Sequence, residues 1–173
     1  MTQSSQDNCS SEQDSHKTHA KHNHDRCIAT ALNDAVLLCE QRGARLTQLR
    51  QRVLELVWQT HKPVGAYELL PLLAKEGFNS APPTVYRALD FLLELGLVHR
   101  ISSINAFIGC NQPKHEHPNG FFICRQCGNA SELPALQLRE LAKQLEASLG
   151  ITIEGETHEL TGLCASCSSK AQK

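Results

Sequence analysis

The chain has 173 residues, a formal net charge of −1 and 40% hydrophobic residues, the composition of one ordinary globular domain or two small ones. No apolar run approaches the ~20 residues of a bilayer span, and the N-terminus shows no apolar stretch of the signal-peptide kind, so a cytoplasmic protein without a membrane partner is expected. Disulfides are then disfavoured, and eight cysteines with nine histidines point to metal instead.

Residues 1–26 hold only Met1, Cys9 and Ala20 as apolar residues, too few to offset the entropy of ordering, and read as a disordered tail. Its histidines, His16, His19, His22 and His24, are either a loose metal-holding tract or incidental to a soluble leader.

From Ile28 the pattern turns helical. Leu32, Ala35, Val36 and Cys39 form one stripe; Leu49, Val53, Leu56 and Val57 form a second; Val85, Ala88, Leu89, Leu92 and Leu93 form the fullest. A further helix over 66–75 contains Pro71, which predicts a kink or a late start. Pro82 and Pro83 suit the first turn of the helix from Thr84, and Gly96 suits its end. Two β-prone runs at 97–101 and 106–110, separated by Ser102, Ser103 and Asn105, read as a hairpin. Helices that lead into a two-stranded wing describe a winged helix-turn-helix.

The character changes after Asn111. Gln112, Pro113, Pro118, Asn119 and Gly120 form a linker; residues 121–123 and 151–159 read as strands. Between them a helix from Pro134 to Gly150 carries Leu138, Leu141, Ala142, Leu145 and Leu149 on one face. The fold class is therefore α+β: a winged helix-turn-helix over 27–111, a small α/β domain over 112–168 and a short tail over 169–173. So small a second core needs help from metal, a partner chain, or both.

Cys124-x-x-Cys127 and Cys164-x-x-Cys167 are two knuckles that together supply the four sulfurs of a closed structural zinc site. A redox dithiol lacks its thioredoxin-like context, and a zinc deaminase would need an upstream H-x-E and a proline before the knuckle, where Ile123 stands. Catalysis has no support, and neither an enzyme nor a small-molecule substrate is expected.

Basic character is local. Residues 41–100 carry eight basic residues against five acidic ones, which the near-neutral whole chain hides. On the helix from Thr84 the core stripe leaves Thr84, Tyr86, Arg87 and Asp90 off the buried face. Tyr86 and Arg87 can thus enter a major groove, Arg87 paired with guanine or, in the plainer reading, solvated.

The runs Arg45-Leu46-Thr47, Arg50, Pro83-Thr84-Val85-Tyr86-Arg87-Ala88-Leu89 and the two knuckles resemble the Fur family of metal-sensing repressors over about residues 28–168. The stretch from Pro82 through Glu94 and the following Gly96-Leu97-Val98-His99 are most similar to its zinc-responsive members. The resemblance implies a homodimer on a palindromic, A·T-rich double-stranded operator, with zinc as corepressor of zinc-uptake genes. It implies a second, regulatory zinc on His99, Cys110, His117 and Glu132, hence two zincs per chain. A site with one thiolate, two imidazoles and a carboxylate is softer than iron or manganese would choose, and Cys110 is the discriminating ligand. It also brings Tyr67 near the bases and Arg45 to a narrow minor groove. The chain departs from the family at Gln48, where a proline is usual, and in its long tail.

His115 is either a substitute for His117 or a solvated loop residue. His158, between Glu156 and Glu159, belongs to a third site or simply to a strand surface. Cys39 reads as core, Cys9 and Cys27 stay unassigned, and His61 is expected at a helix end. The alternatives to a zinc-responsive repressor are an iron or peroxide sensor of the same family, and a zinc-buffering protein.

Overall fold

The computed structural model describes residues 24–59, 62–113 and 119–171. Most of the expected tail, with His61, His115 and His117, lies outside these residues. Among the described residues, no helix is long and apolar enough to cross a membrane.

Four helices and a small sheet make the N-terminal half. Helix α1 spans His24–Gln41, so its first turn falls inside the segment expected to be disordered. Cys27 and Ile28 pack against the core and anchor that end; once a helix is nucleated, a further polar turn adds one hydrogen bond per residue fixed. The buried stripe of α1 is Ala31, Ala35, Leu38 and Cys39, whereas Val36 is 45% exposed. This rotates the expected face, and the stripe now offers two alanines.

Helix α2 (Gln48–Trp58) starts at Thr47, whose side chain accepts a hydrogen bond from the Arg50 amide, the usual satisfaction of a first-turn donor. A short β1 (Val64–Gly65) leads into α3 (Ala66–Lys75). Pro71 lies inside α3, which starts no later than Ala66 despite the proline; buried Leu69 and Leu73 on either side supply the packing that outweighs one lost backbone bond. Helix α4 (Pro82–Glu94) has prolines in its first two positions and buries Val85, Ala88, Leu89 and Leu92. Gly96 ends it with φ +69, and the Leu97 amide bonds back to the Leu92 carbonyl, a reversal that aims the chain into the wing.

The wing is β2 (Val98–Ile101), a 3-10 turn over Ser102–Ile104, and β3 (Ala106–Gly109). Asn105 closes the turn in the left-handed conformation. With β1 these strands form an antiparallel sheet in the order β1-β3-β2.

The C-terminal half is a second sheet, β4 (Asn119–Cys124), β5 (Ala130–Glu132) and β6 (Thr157–Gly162), in the order β5-β4-β6. The β4–β6 pair is parallel and is linked through α5 (Ala135–Leu149), the crossover that parallel strands require. Helix α5 packs on β4 where Gly120 leaves room, since a Cβ there would overlap Cδ1 of Leu138. A last helix, α6 (Ala165–Ala171), follows β6.

The sequence placed the last strand at 151–159. It lies at 157–162, and 151–156 is irregular. Register explains the difference: Cys124 aligns with Gly162, so the second knuckle can meet the first only if the strand runs on to that point.

Two cores result. The larger gathers the helices with Leu97, Val98 and Phe107. The smaller joins Ile101, at the end of the wing strand, to Phe121 and Ile123 of β4. Ile101 thus sits in the core of the other half. The leucine face of α5 is largely uncovered, with Leu141, Leu145 and Leu149 exposed by 44%, 40% and 63%.

Candidate metal centre and nucleic-acid interface

The parallel β4–β6 pair brings both knuckles to one end of its sheet. Cys124 closes β4, Cys127 follows in a tight turn, Cys164 comes just after β6, and Cys167 is held in α6. Their four sulfurs all lie within 4.8 Å of one another. Cys127 Sγ and Cys164 Sγ are 3.8 Å apart. A tetrahedral zinc with bonds of about 2.3 Å to sulfur requires edges of about 3.8 Å, so the donor set fits that metal. The cysteines are free thiols rather than bridges. The Cys164 amide donates to Cys124 Sγ at 3.3 Å. The Cys127 amide and this bond hold the Cys124 thiol well below its ordinary value, while a hydrogen bond with Cys164 and then burial push Cys167 up. Cys124 thus offers a thiolate readily, and a dication held by the cage would draw off the protons that remain.

A second cluster lies at the joint between the two sheets. His99 sits on β2, Cys110 one residue beyond β3, and Glu132 at the end of β5, with ligand atoms within 4.8 Å of one another. His99 Nε2 is 3.6 Å from Glu132 Oε1, near the ~3.4 Å edge that nitrogen and oxygen ligands of a tetrahedral zinc would share. His99 is 8% exposed and Cys110 3% exposed. The ring of His99 rests 5.4 Å from that of Phe121. The Gln112 amide donates to Cys110 Sγ at 3.4 Å, and Asn111 Nδ2 to Glu132 Oε2 at 3.5 Å. Burial pushes the Cys110 thiol up to about 12, with the Glu132 charge adding to the rise. Two of these three ligands come from the wing and one from the other sheet. The fourth expected ligand, His117, and its neighbour His115 lie outside the described residues.

His158 joins neither cluster: on β6, its Nε2 is 3.0 Å from Glu156 Oε2. Cys39 is 4% exposed inside the helical core, and Cys27 packs on the edge of that core.

The nucleic-acid side is built on α3 and α4. Arg87 is exposed, Thr84 is half-buried, and Tyr67 at the start of α3 is 66% exposed. Tyr86 departs from the expected open position, being half-buried against the helical core. It meets Tyr67 edge-on with ring centroids 6.5 Å apart, so the two phenols form one surface. Arg45 is exposed on the loop before α2. Arg50 fixes that loop: its Nη1 donates to the Arg45 carbonyl at 2.6 Å while its guanidinium lies 3.5 Å above the Phe91 ring. Nothing in the local pattern distinguished Arg50 from a DNA-facing arginine, because its partner Phe91 is distant in sequence. Gly109, packed against the Trp58 indole, and Glu159, which accepts from the Ser102 and Ser103 amides, likewise have partners distant in sequence.

The model of the ferric uptake regulator family matches residues 41–161. The zinc uptake regulation protein of Escherichia coli is 40% identical over 139 residues, covering 79% of this chain and 80% of that one. A zinc uptake regulator solved in complex with zinc and DNA superposes with a TM-score of 0.77 at 36% identity, covering 88% of this chain and all of the other. The holo form of XcZur gives 0.70 at 42% identity, with 81% and 98% covered.

Proposed function

The chain belongs to the ferric uptake regulator family, and from that premise we propose that it is a zinc-responsive, DNA-binding transcriptional repressor of zinc-uptake genes, with zinc as corepressor. Relatives named for zinc uptake and solved with zinc and DNA support this reading. The observation that carries it is the placing of Cys110 between an imidazole and a carboxylate across the joint of the two sheets. A thiolate in that position favours zinc over the harder ions of other regulators.

Zinc binding is assigned to two centres per chain. Cys124, Cys127, Cys164 and Cys167 hold the structural ion, tying the start of the C-terminal sheet to its end. His99, Cys110, Glu132 and His117 hold the regulatory one. When bound there, zinc supplies a dication that ligands from both sheets can share. His99 and Cys110 then keep the wing against β5, and the winged helix takes a fixed attitude. A near-complete shift between open and closed arrangements needs about 5.5 kcal/mol of preference for the closed one, well within the reach of a buried zinc site.

The repressor works as a homodimer. The leucine face of α5, uncovered in a single chain, supports a dimerisation unit over 112–168 beneath a DNA-binding unit over 27–111. Two copies of α4 then face two half-sites of a palindrome. Arg87 reads a base edge, Tyr86 and Tyr67 offer their joined phenol surface to a thymine methyl or phosphate, Thr84 contacts the backbone, and Arg45 enters the adjacent A·T-rich minor groove.

Footprinting on genomic DNA with and without zinc tests the reading. Protection of palindromic sites in zinc, absent with iron or manganese, is the expected result. Protection that is indifferent to zinc would overturn it.

A further inference from the structure

The face of the C-terminal sheet that meets the wing carries one row of side chains. Glu132 on β5 and Glu159 on β6 are both aligned with Phe121 on the central strand, and residues so opposed project from the same face. Successive residues of the wing lie along this row. His99 meets Glu132 at 3.6 Å, Ile101 packs with Phe121, and the amides of Ser102 and Ser103 donate to Oε1 and Oε2 of Glu159 at 2.6 and 3.0 Å. The first contact belongs to the second ligand cluster and the middle one to the small core. The third belongs to neither. It joins a carboxylate with both oxygens engaged to two backbone amides more than 50 residues away in the chain, a charge-assisted and directional arrangement.

We propose that Glu159 is a positioning residue for DNA binding: it anchors the turn of the wing to β6 and so closes, from the opposite edge of the sheet, the joint that the His99–Cys110–Glu132 cluster closes. This rests on the repressor reading and adds an element of regulation to it. The carboxylate and the ligand cluster hold the same two bodies together, so each strengthens the other by the same factor. A chain without the anchor spends less time closed, and its regulatory cluster pays a larger ordering cost when it binds metal.

Two substitutions act on the contact from opposite sides. Glu159→Ala takes away both acceptor oxygens. Ser102→Pro deletes one of the amides at the first position of the turn, where the preceding Ile101 is extended, with φ −94 and ψ 106, as a proline requires. The full chain, with its structural cysteine centre loaded, is titrated with zinc against a chelator, and its affinity for a genomic fragment recovered by footprinting is measured at saturating zinc. Each variant is expected to bind the regulatory zinc about tenfold more weakly, and the double variant no more weakly than the worse single one. Amide exchange at Ser103 should quicken in Glu159→Ala. Wild-type zinc affinity in the single variants, or losses that multiply in the double variant, would overturn the anchor. If one variant fails to retain structural zinc, the other decides by the same comparison. A wild type that takes up regulatory zinc but binds no DNA would count against the repressor reading, while the zinc affinities would still decide the role of Glu159.

Discussion

The indole of Trp58 lies so close to Gly109 that a Cβ on the glycine would overlap the ring. Trp58 ends α2, and Gly109 is the last residue of β3, immediately before Cys110. A helix of the larger core therefore sets the height of the strand that delivers the sensor thiol. Gly109→Ala should cost about 1–3 kcal/mol, because a rigid ring and a paired strand cannot both stay in place. The expected outcome is a lower denaturant midpoint together with weaker zinc binding at the second cluster, measured by chelator competition. Unchanged stability would mean that the ring moves aside freely.

The two centres should fail differently. Cys110→Ser is expected to leave the fold intact and reduce the zinc-dependent gain in operator affinity, a coupling of about 5- to 150-fold in proteins of this kind of behaviour, towards none. Cys124→Ser removes a sulfur from the closed cage and should lower the melting temperature or abolish folding. Circular dichroism beside a mobility-shift assay in zinc separates the outcomes. A Cys110→Ser protein that kept its zinc response would show that the sensor lies elsewhere.

Zinc uptake at the second cluster should release protons. Burial raises the Cys110 thiol to about 12, so at neutral pH the thiol is protonated and the ion must displace that proton. Affinity should then rise about tenfold per pH unit for this thiol and fall on acidification. Competition titrations between pH 6.5 and 8.5 give the slope; a flat profile would exclude a thiolate ligand.

Gln48 occupies the first position of α2, after Thr47 with φ −76 and ψ 160. That is the site at which proline is best tolerated, since the amide it lacks has no partner within the helix. Gln48→Pro should stabilise the protein by about 0.4–1 kcal/mol by restricting the unfolded chain. A shift of about 1–4 °C in melting temperature is expected, with zinc and DNA affinities unchanged.

Much of the architecture was legible because long-period signals carried it. The α4 stripe, its two prolines and Gly96 marked a helix and both its ends, and the cysteine spacing marked a cage. Short elements were not legible: β5 is Ala-Ser-Glu, with no alternation to read, and α6 holds serines and a lysine around Cys167 without an apolar stripe. Both exist because neighbours impose them, β5 by pairing with β4 and α6 by continuing the second knuckle. The rotation of α1 arises from tertiary contact as well. Alanine faces admit a close neighbour, and hydrophobicity alone does not distinguish that face from one bearing Val36. For the joint, the family resemblance pointed to ligands but not to their supports. Trp58 against Gly109 and Glu159 beneath Ser102 are long-range contacts that no local spacing records.

The arginines of the helical half are not equally available to a polyanion. Arg52 is committed to Glu55 and Glu76 at 2.8 and 2.6 Å, and Arg50 is turned inward over Phe91. Each phosphate neutralised by a free cation contributes about 0.9 to the slope of log affinity against log salt. The ionic-strength dependence of operator binding should therefore be shallower than the tally of basic residues suggests, and neutralising Arg52 should leave that slope unchanged. Arg45 and Arg87, whose side chains face solvent, are the ones whose removal should flatten it.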